Sequence, residues 1–432
     1  MYKVCVVGGG FAGCEAAAYL AGHGVDVTLF EMKPAKFSPA HESEGLCELV
    51  CSNSFKAIRV SSASGLLKAE MKELDSLTVD CAEKTAVPAG GALAVDRDKF
   101  SALVTERING SENIHIVREE VTVIPSGFDA VIIAAGPLCS DALSGTVAEL
   151  CGGEFLSFFD AAAPIVTGES IDMSCAFTQS RYDRGSAEDY INCPLNREEY
   201  EVFYRELISA EQAELHDFDR HIYEGCMPIE IMARRGADTI RYGPFKPVGL
   251  TDPATGHRPW ANLQLRKENR EGTLYNLVGC QTNLKFGEQK RVFSLIPALR
   301  NAEFARYGVM HRNTFLDSPK VLAANQSLKS RPDIFFAGQI TGVEGYMESA
   351  ASGITAGIHC LRYLSGLSEL LFPDVTLVGA FQRYISGSES ANYQPMGASF
   401  GLLPPLDERI KNKQERYERL AGRSLAALKK ND

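Results

Sequence analysis

The sequence has no run approaching the roughly 18 consecutive apolar residues that a membrane-spanning helix requires. Its opening, "MYKVCVVGGG", passes straight into a strand pattern, without the basic and apolar regions of a secretory leader. Positive charge is not in excess either: a formal net charge of -11 excludes a surface that is basic everywhere and grips nucleic acid indiscriminately. Twelve cysteines are present, yet they form no CxxC series and no Cys/His ladder, so no metal site is expected. Without a leader those thiols read as reduced, mostly buried small hydrophobes. There is no second glycine fingerprint, no internal repeat and no low-complexity tract. These absences predict a cytoplasmic protein with no membrane partner. At 432 residues, 45% of them apolar and 23% charged, the chain is long enough for two or three ordinary globular domains.

What is present begins at the N-terminus. Residues 3–8, "KVCVVG", form an apolar strand, followed by Gly8-Gly9-Gly10-Phe11-Ala12-Gly13 and a helix of small residues. A second apolar run, "VDVTLFE", ends on Glu31. In this strand–turn–helix–strand order GxGxxG has a physical meaning. Gly8 permits the tight turn, Gly10 lets backbone amides approach a pyrophosphate, and Gly13 lets the helix lie close to the strand. The positive N-terminus of that helix, at Phe11 and Ala12, then faces the phosphates. Glu31, 18 residues past Gly13 (31 minus 13), can hold both hydroxyls of a ribose and would repel a 2′-phosphate.

Two later stretches choose between FAD and NAD. "FDAVIIAAGPL" (128–138) is a buried strand ending in small residues and Gly136, of the kind that crosses beneath the dinucleotide in two-dinucleotide flavoproteins. "RPDIFFAGQITGVEGYMESAASGITAG" (331–357) is another buried strand that meets Gly338 and Gln339 before a Gly- and Ala-rich helix. The dipole of such a helix favours negative charge on a reduced flavin. Together with the one fingerprint, the two stretches favour FAD; a nicotinamide nucleotide, NADPH or NADH, would bind only transiently. The expected fold is α/β: a Rossmann-like FAD-binding domain of the two-dinucleotide type, interrupted by an α+β insertion domain. Its first part covers 1–180, the insertion 181–324, and its second part, with a C-terminal helix, 325–432.

The thiols need separate readings. Cys47 and Cys51 stand one residue closer than the CxxxxC pair of flavin disulfide reductases, and at i and i+4 on a helix they would suit a disulfide poorly. A disulfide reductase is the alternative this spacing leaves open. Cys226 lies in "YEGCMPIEIMARRGADTIRYGPFKPVGL", a stretch dense in glycine and proline that reads as irregular. Arg234, Arg235, Arg241 and Lys246 follow closely. Cations near a thiol stabilise the nucleophilic thiolate, and they also suit phosphate contacts; structural salt bridges around a buried cysteine are the plainer reading. The basic tail "RIKNKQERYERLAGRSLAALKK" reads as a solvated helix of mixed charge.

Several blocks together carry a resemblance over essentially the whole chain: "VVGGGFAGCEAAAYLA", "FSPAHESEGLCELVCSNSFKA", "LAVDRDKF", the Cys226 block, "LVGCQTNLKFGEQKRVFSLIPALRNAEFARYGVMHRNTF" and "YQPMGASFGLLPPL". They resemble the folate- and FAD-dependent tRNA uridine C5-methyltransferases, the TrmFO family. The resemblance implies methylation of the T-loop uridine of tRNA, with 5,10-methylenetetrahydrofolate as one-carbon donor and NADPH or NADH reloading the FAD. It implies Cys226 as the thiolate that adds to uracil C6 and Cys51 as the base at C5, or the reverse. Relatives with the same blocks could act on a uridine of ribosomal RNA, and a non-catalytic RNA-binding flavoprotein would need neither thiol. Two departures from the family pattern stand out: the extra thiol Cys47, and Gly397-Ala398 where asparagines usually follow "QPM".

Overall fold

The computed structural model of the chain describes residues 1–152, 156–161, 163–183, 186, 189–213, 227–269, 271–308, 310–387 and 393–429. Its first layer is a six-stranded sheet in the order Ser327–Leu328, Arg331–Phe336, Ala130–Ile133, Lys3–Val7, Asp26–Phe30, Ile114–Val117. All neighbours are parallel except the first pair. The central strands read as continuous apolar runs because helices cover both faces, the rule for buried parallel strands. The two later stretches, 128–138 and 331–357, thus supply adjacent strands, the first of them pairing with Lys3–Val7.

The helix Phe11–Gly22 packs against the helix Tyr346–Leu364 at backbone contact distance. A Cβ on Gly353 would lie 2.2 Å from the carbonyl oxygen of Ala12, so glycine there sets how closely the two helices approach. Beneath the fingerprint the same logic holds: a Cβ on Gly13 would stand 1.8 Å from the Gly8 carbonyl oxygen, while Gly8 itself has φ +108°.

The second sheet is wholly antiparallel, in the order Phe177–Thr178, Tyr190–Leu195, Ala261–Lys267, Leu274–Leu277, Ile165–Thr167, Phe304–Arg306. Two of its strands, Ile165–Thr167 and Phe177–Thr178, precede residue 181, and the other four follow it. The helix Arg197–Ser209 starts on a local signal, a capping box ahead of an apolar stripe. Asn196 accepts from the Glu199 amide (2.9 Å), the Glu199 side chain returns to the Asn196 amide (2.8 Å), and Tyr200, Phe203 and Leu207 are buried.

The C-terminal helix Lys413–Leu428 is not a fully solvated tail. Leu420, Ala421, Ser424 and Leu428 form a buried stripe, and Ser424 donates to Glu70. No helix among the described residues is long and apolar enough to cross a membrane.

Candidate active site

A cavity of about 500 Å³ opens where the two sheets meet. One wall is the fingerprint: Gly8, Gly9, Gly10, Phe11 and Ala12 line it, and Gly13 lies just beneath. Gly10 begins the twelve-residue helix with no side-chain cap, and a Cβ there would meet nothing within 4 Å. The amides of the first turn therefore face open space, the arrangement that receives a pyrophosphate. Glu31 also lines the cavity, its carboxylate fixed by the Gly9 amide (2.8 Å) and the Lys33 amide (3.0 Å). Gly136, Gly338 and Gln339 complete this side, with Gln339 donating to Glu344 (2.5 Å). Every expected cofactor contact thus borders one space or directly supports its wall.

Cys51 is half-buried on the same cavity. Its Sγ lies 3.0 Å from Tyr346 Oη, which also accepts the amides of Cys51 (2.9 Å) and Ser52 (3.4 Å). With its lone pairs so occupied, the phenol has its proton left for the sulfur. Burial, then the nearby Cys51 charge, push the Tyr346 phenol well above its usual range, so it stays protonated. The ring is held by Phe11 (centroids 4.8 Å apart) and Phe55 (5.9 Å). Sequence reasoning gave Tyr346 no role, because its hydrogen bond to a residue 295 positions away leaves no local signal.

The segment carrying Cys51 is clamped by the second sheet. Asn53 Nδ2 donates to Val95 O and Lys267 O (both 2.9 Å), and Arg266 donates to Asn53 Oδ1 (2.9 Å) and Ser52 Oγ (2.8 Å). Arg97 reaches Leu49 O and forms an ion pair with the buried Glu268. Opposite, Lys56 pairs with the buried Glu348 (3.2 Å), which also accepts the Ala398 amide (3.0 Å). The departure at Ala398 therefore leaves this contact intact, because the backbone makes it.

Cys47 has other surroundings. It is 1% exposed with φ +49°, its amide bound to Gly9 O (3.0 Å), and burial pushes its thiol well above the usual range, helped by Cys14. Residues 47–51 form no helix, and Cys47, packed into the core against the glycine loop, borders the same cavity as Cys51 with almost none of its surface exposed.

Cys226 lies outside the described residues. Of the four expected RNA-contacting cations, Arg234, Arg235 and Lys246 are exposed, and none of the four lines the cavity. Arg241 is engaged, paired with Asp238 (2.7 Å) and stacked on Trp260 (4.3 Å) and Tyr242 (4.8 Å). Among the described residues no cluster of three or more His, Cys, Asp or Glu could hold a metal.

Comparison with known proteins adds to this geometry. The family described as glucose inhibited division protein A matches residues 3–368. A protein of Acetivibrio thermocellus described as methylenetetrahydrofolate–tRNA-(uracil-5-)-methyltransferase TrmFO is 56% identical over 425 residues, 98% of this chain and 97% of the relative. A Lactobacillus gasseri protein of the same description is 53% identical over 427 residues, 99% and 97% of the two chains. Among solved structures, GidA of Aquifex aeolicus superposes with a TM-score of 0.71 at 17% identity, covering 99% of this chain and 73% of its own, which shows a shared fold.

Proposed function

The chain belongs to the glucose inhibited division protein A family and stands with its TrmFO members; from that premise we propose that it transfers a one-carbon unit from methylenetetrahydrofolate to C5 of a uridine in tRNA, using FAD held in the cavity. The residues present fit that cofactor. An uncapped helix N-terminus, a carboxylate at the ribose position and a strand end at Gly136 border one continuous space. Bound there, FAD supplies the reducing equivalent that turns a transferred methylene carbon into a methyl group, and NADPH or NADH restores it.

The chain's own residues supply the proton chemistry. Uracil C5 is a poor nucleophile until a thiolate adds at C6, and we assign that addition to Cys226 on the strength of the resemblance. Cys51 then removes the C5 proton. The Tyr346 hydroxyl, 3.0 Å from its sulfur, and the buried guanidinium groups of Arg97 and Arg266 nearby favour the thiolate this step needs. Glu31 and the glycine loop bind; the 48–53 segment orients. Arg234, Arg235, Arg241 and Lys246 are proposed to meet the RNA backbone, and the tRNA substrate implies the cytoplasm. Residues 181–324 are proposed as the insertion that carries the second wall of the site.

The observation that carries this reading is Cys51 opening onto the same cavity as the glycine loop and Glu31. Purified protein supplied with NADPH, labelled methylenetetrahydrofolate and either unmodified tRNA or ribosomal RNA should label the tRNA. Cys51→Ala and Cys226→Ala should each abolish labelling while the flavin absorbance persists. Label entering only ribosomal RNA, or full turnover in either variant, would overturn the corresponding assignment.

A further inference from the structure

Arg266 and Asn276 face each other across the second sheet, in register on the strands Ala261–Lys267 and Leu274–Leu277, and both line the cavity. Directly opposed residues project from the same face of a sheet with Cβ atoms about 4.5–5.5 Å apart. Each has a donor that nothing described uses. Arg266 is 7% exposed; its Nε and Nη2 are spent on the neutral acceptors Asn53 Oδ1 and Ser52 Oγ, and Nη1 has no partner among the described residues. It forms no ion pair there either, although its neighbour Arg97 is neutralised by Glu268. Asn276 is 3% exposed, and its Nδ2 is buried without a hydrogen-bond partner. Leaving a buried donor such as Asn276 Nδ2 unmet costs about 1–3 kcal/mol, and with the unused Arg266 Nη1 opposite it at the cavity wall, the pair points to a ligand oxygen that completes both.

We propose that Arg266 and Asn276 form an oxyanion site that receives the C4 carbonyl oxygen of the target uracil. The inference rests on the methyltransferase reading. When a thiolate adds to C6, the sulfur–C6 bond forms, the C5=C6 pair shifts to C5–C4, and the carbonyl oxygen takes the negative charge. A guanidinium and an amide N–H directed at that oxygen stabilise the enolate more than the neutral base, which is the condition for speeding the addition. After carbon bonds to C5 and the C5 proton leaves to the base, the electrons return and the sulfur–C6 bond breaks. The pyrophosphate is not the anion in question, because the glycine loop serves it on the other wall. Arg266 is instead bonded to Ser52, the residue next to Cys51, where the base must lie for C5 to be reached.

An RNA carrying 5-fluorouridine separates this step from the rest. With methylenetetrahydrofolate and NADPH present, addition at both carbons leaves a covalent protein–RNA adduct, since the fluorine cannot leave as a proton does. Asn276→Ala isolates the donor role, because the Asn276 Nδ2 makes no hydrogen bond within the protein; Arg266→Lys keeps the charge but loses the fork that holds Ser52 and Asn53. Asn276→Ala should slow adduct formation by about 10²-fold, with RNA affinity and flavin content within about twofold of the parent. Arg266→Lys should also slow it, and raising the pH should not restore the rate. Adduct formation at the parent rate in both variants would overturn the proposal, as would loss of flavin in Asn276→Ala. If the parent protein forms no adduct, it is the methyltransferase reading that fails.

Discussion

Tyr346 shows how one side chain sets the chemistry of another. A hydrogen bond donated to an ionised sulfur is worth about 1.5–3 kcal/mol, so removing the hydroxyl should make the Cys51 thiolate roughly tenfold scarcer or more. Tyr346→Phe is expected to slow alkylation of Cys51 by iodoacetamide at pH 7 by at least that factor, read by mass spectrometry of the modified peptide. An unchanged rate would mean that the phenol does not serve the sulfur. The thiol itself was legible in sequence, because a cysteine amid polar neighbours asks for an explanation. Its partner was not, since the Cys51–Tyr346 contact spans 295 residues and forms only when the turn at 338–345 closes over the loop.

At the scale of elements, buried carboxylates from distant helices add to the local caps Ser76 and Thr376, which accept the amides of Val79 and Gly379. Glu15 accepts the amides of Leu77 (3.1 Å) and Thr78 (2.8 Å), and Glu70 accepts those of Leu377 and Val378 (both 2.9 Å). Burial raises the Glu70 carboxyl to about 7, while burial pulls His359 down to about 4. The signs oppose. A carboxyl raised in the fold makes the protein lose stability as pH climbs from about 4.5 to 7. A histidine lowered in the fold makes it lose stability as pH falls from about 6.5 to 4. Each effect is on the order of 3 kcal/mol, and within their shared window the two largely cancel. His359→Phe should therefore expose a melting temperature that declines as pH rises from 4.5 to 7, measured by differential scanning calorimetry. Glu70→Ala should show the reverse slope and an overall loss of about 2 kcal/mol from two unmet helix amides. Gly353→Ala belongs to the same scale. Its methyl group must displace the backbone at Ala12, prying the first helix from its partner. Flavin should be lost from that variant in dialysis before the protein unfolds.

For the whole molecule, the decisive contact is between the two sheets. Arg97–Glu268, Asn53–Lys267 and Arg266–Ser52 tie the Cys51 segment to a strand more than 200 residues away in sequence. Removing one member of the buried ion pair leaves an uncompensated charge, at a cost of about 3–5 kcal/mol, whereas replacing both with apolar residues of similar size is far milder. Glu268→Leu should lower the denaturant midpoint markedly, and the double variant Arg97→Met with Glu268→Leu should recover most of it. A double variant less stable than Glu268→Leu would show that the pair is not the clamp inferred here. The strand involved, "ANLQLRK", alternates polar and apolar residues like a half-exposed strand, yet Asn262, Gln264 and Arg266 are all buried. Period two states which residues share a face; it does not state that Ser52, Asn53 and Arg181 will meet the polar one.

By itself the sequence determined the dinucleotide fold, the helix starts at Phe11 and Arg197, and a set of glycines and a carboxylate that the structure gathers on one cavity wall. Those features rest on local spacing: glycines where backbones must touch, a carboxylate at a fixed offset, a capping box ahead of an apolar stripe. Tertiary structure alone decided that Cys51 shares its cavity with Tyr346, Arg266 and Asn276, and that Cys47 is buried against the glycine loop. Such neighbours are brought together by packing between sheets, and the free energy of that packing is written in no short stretch of the chain.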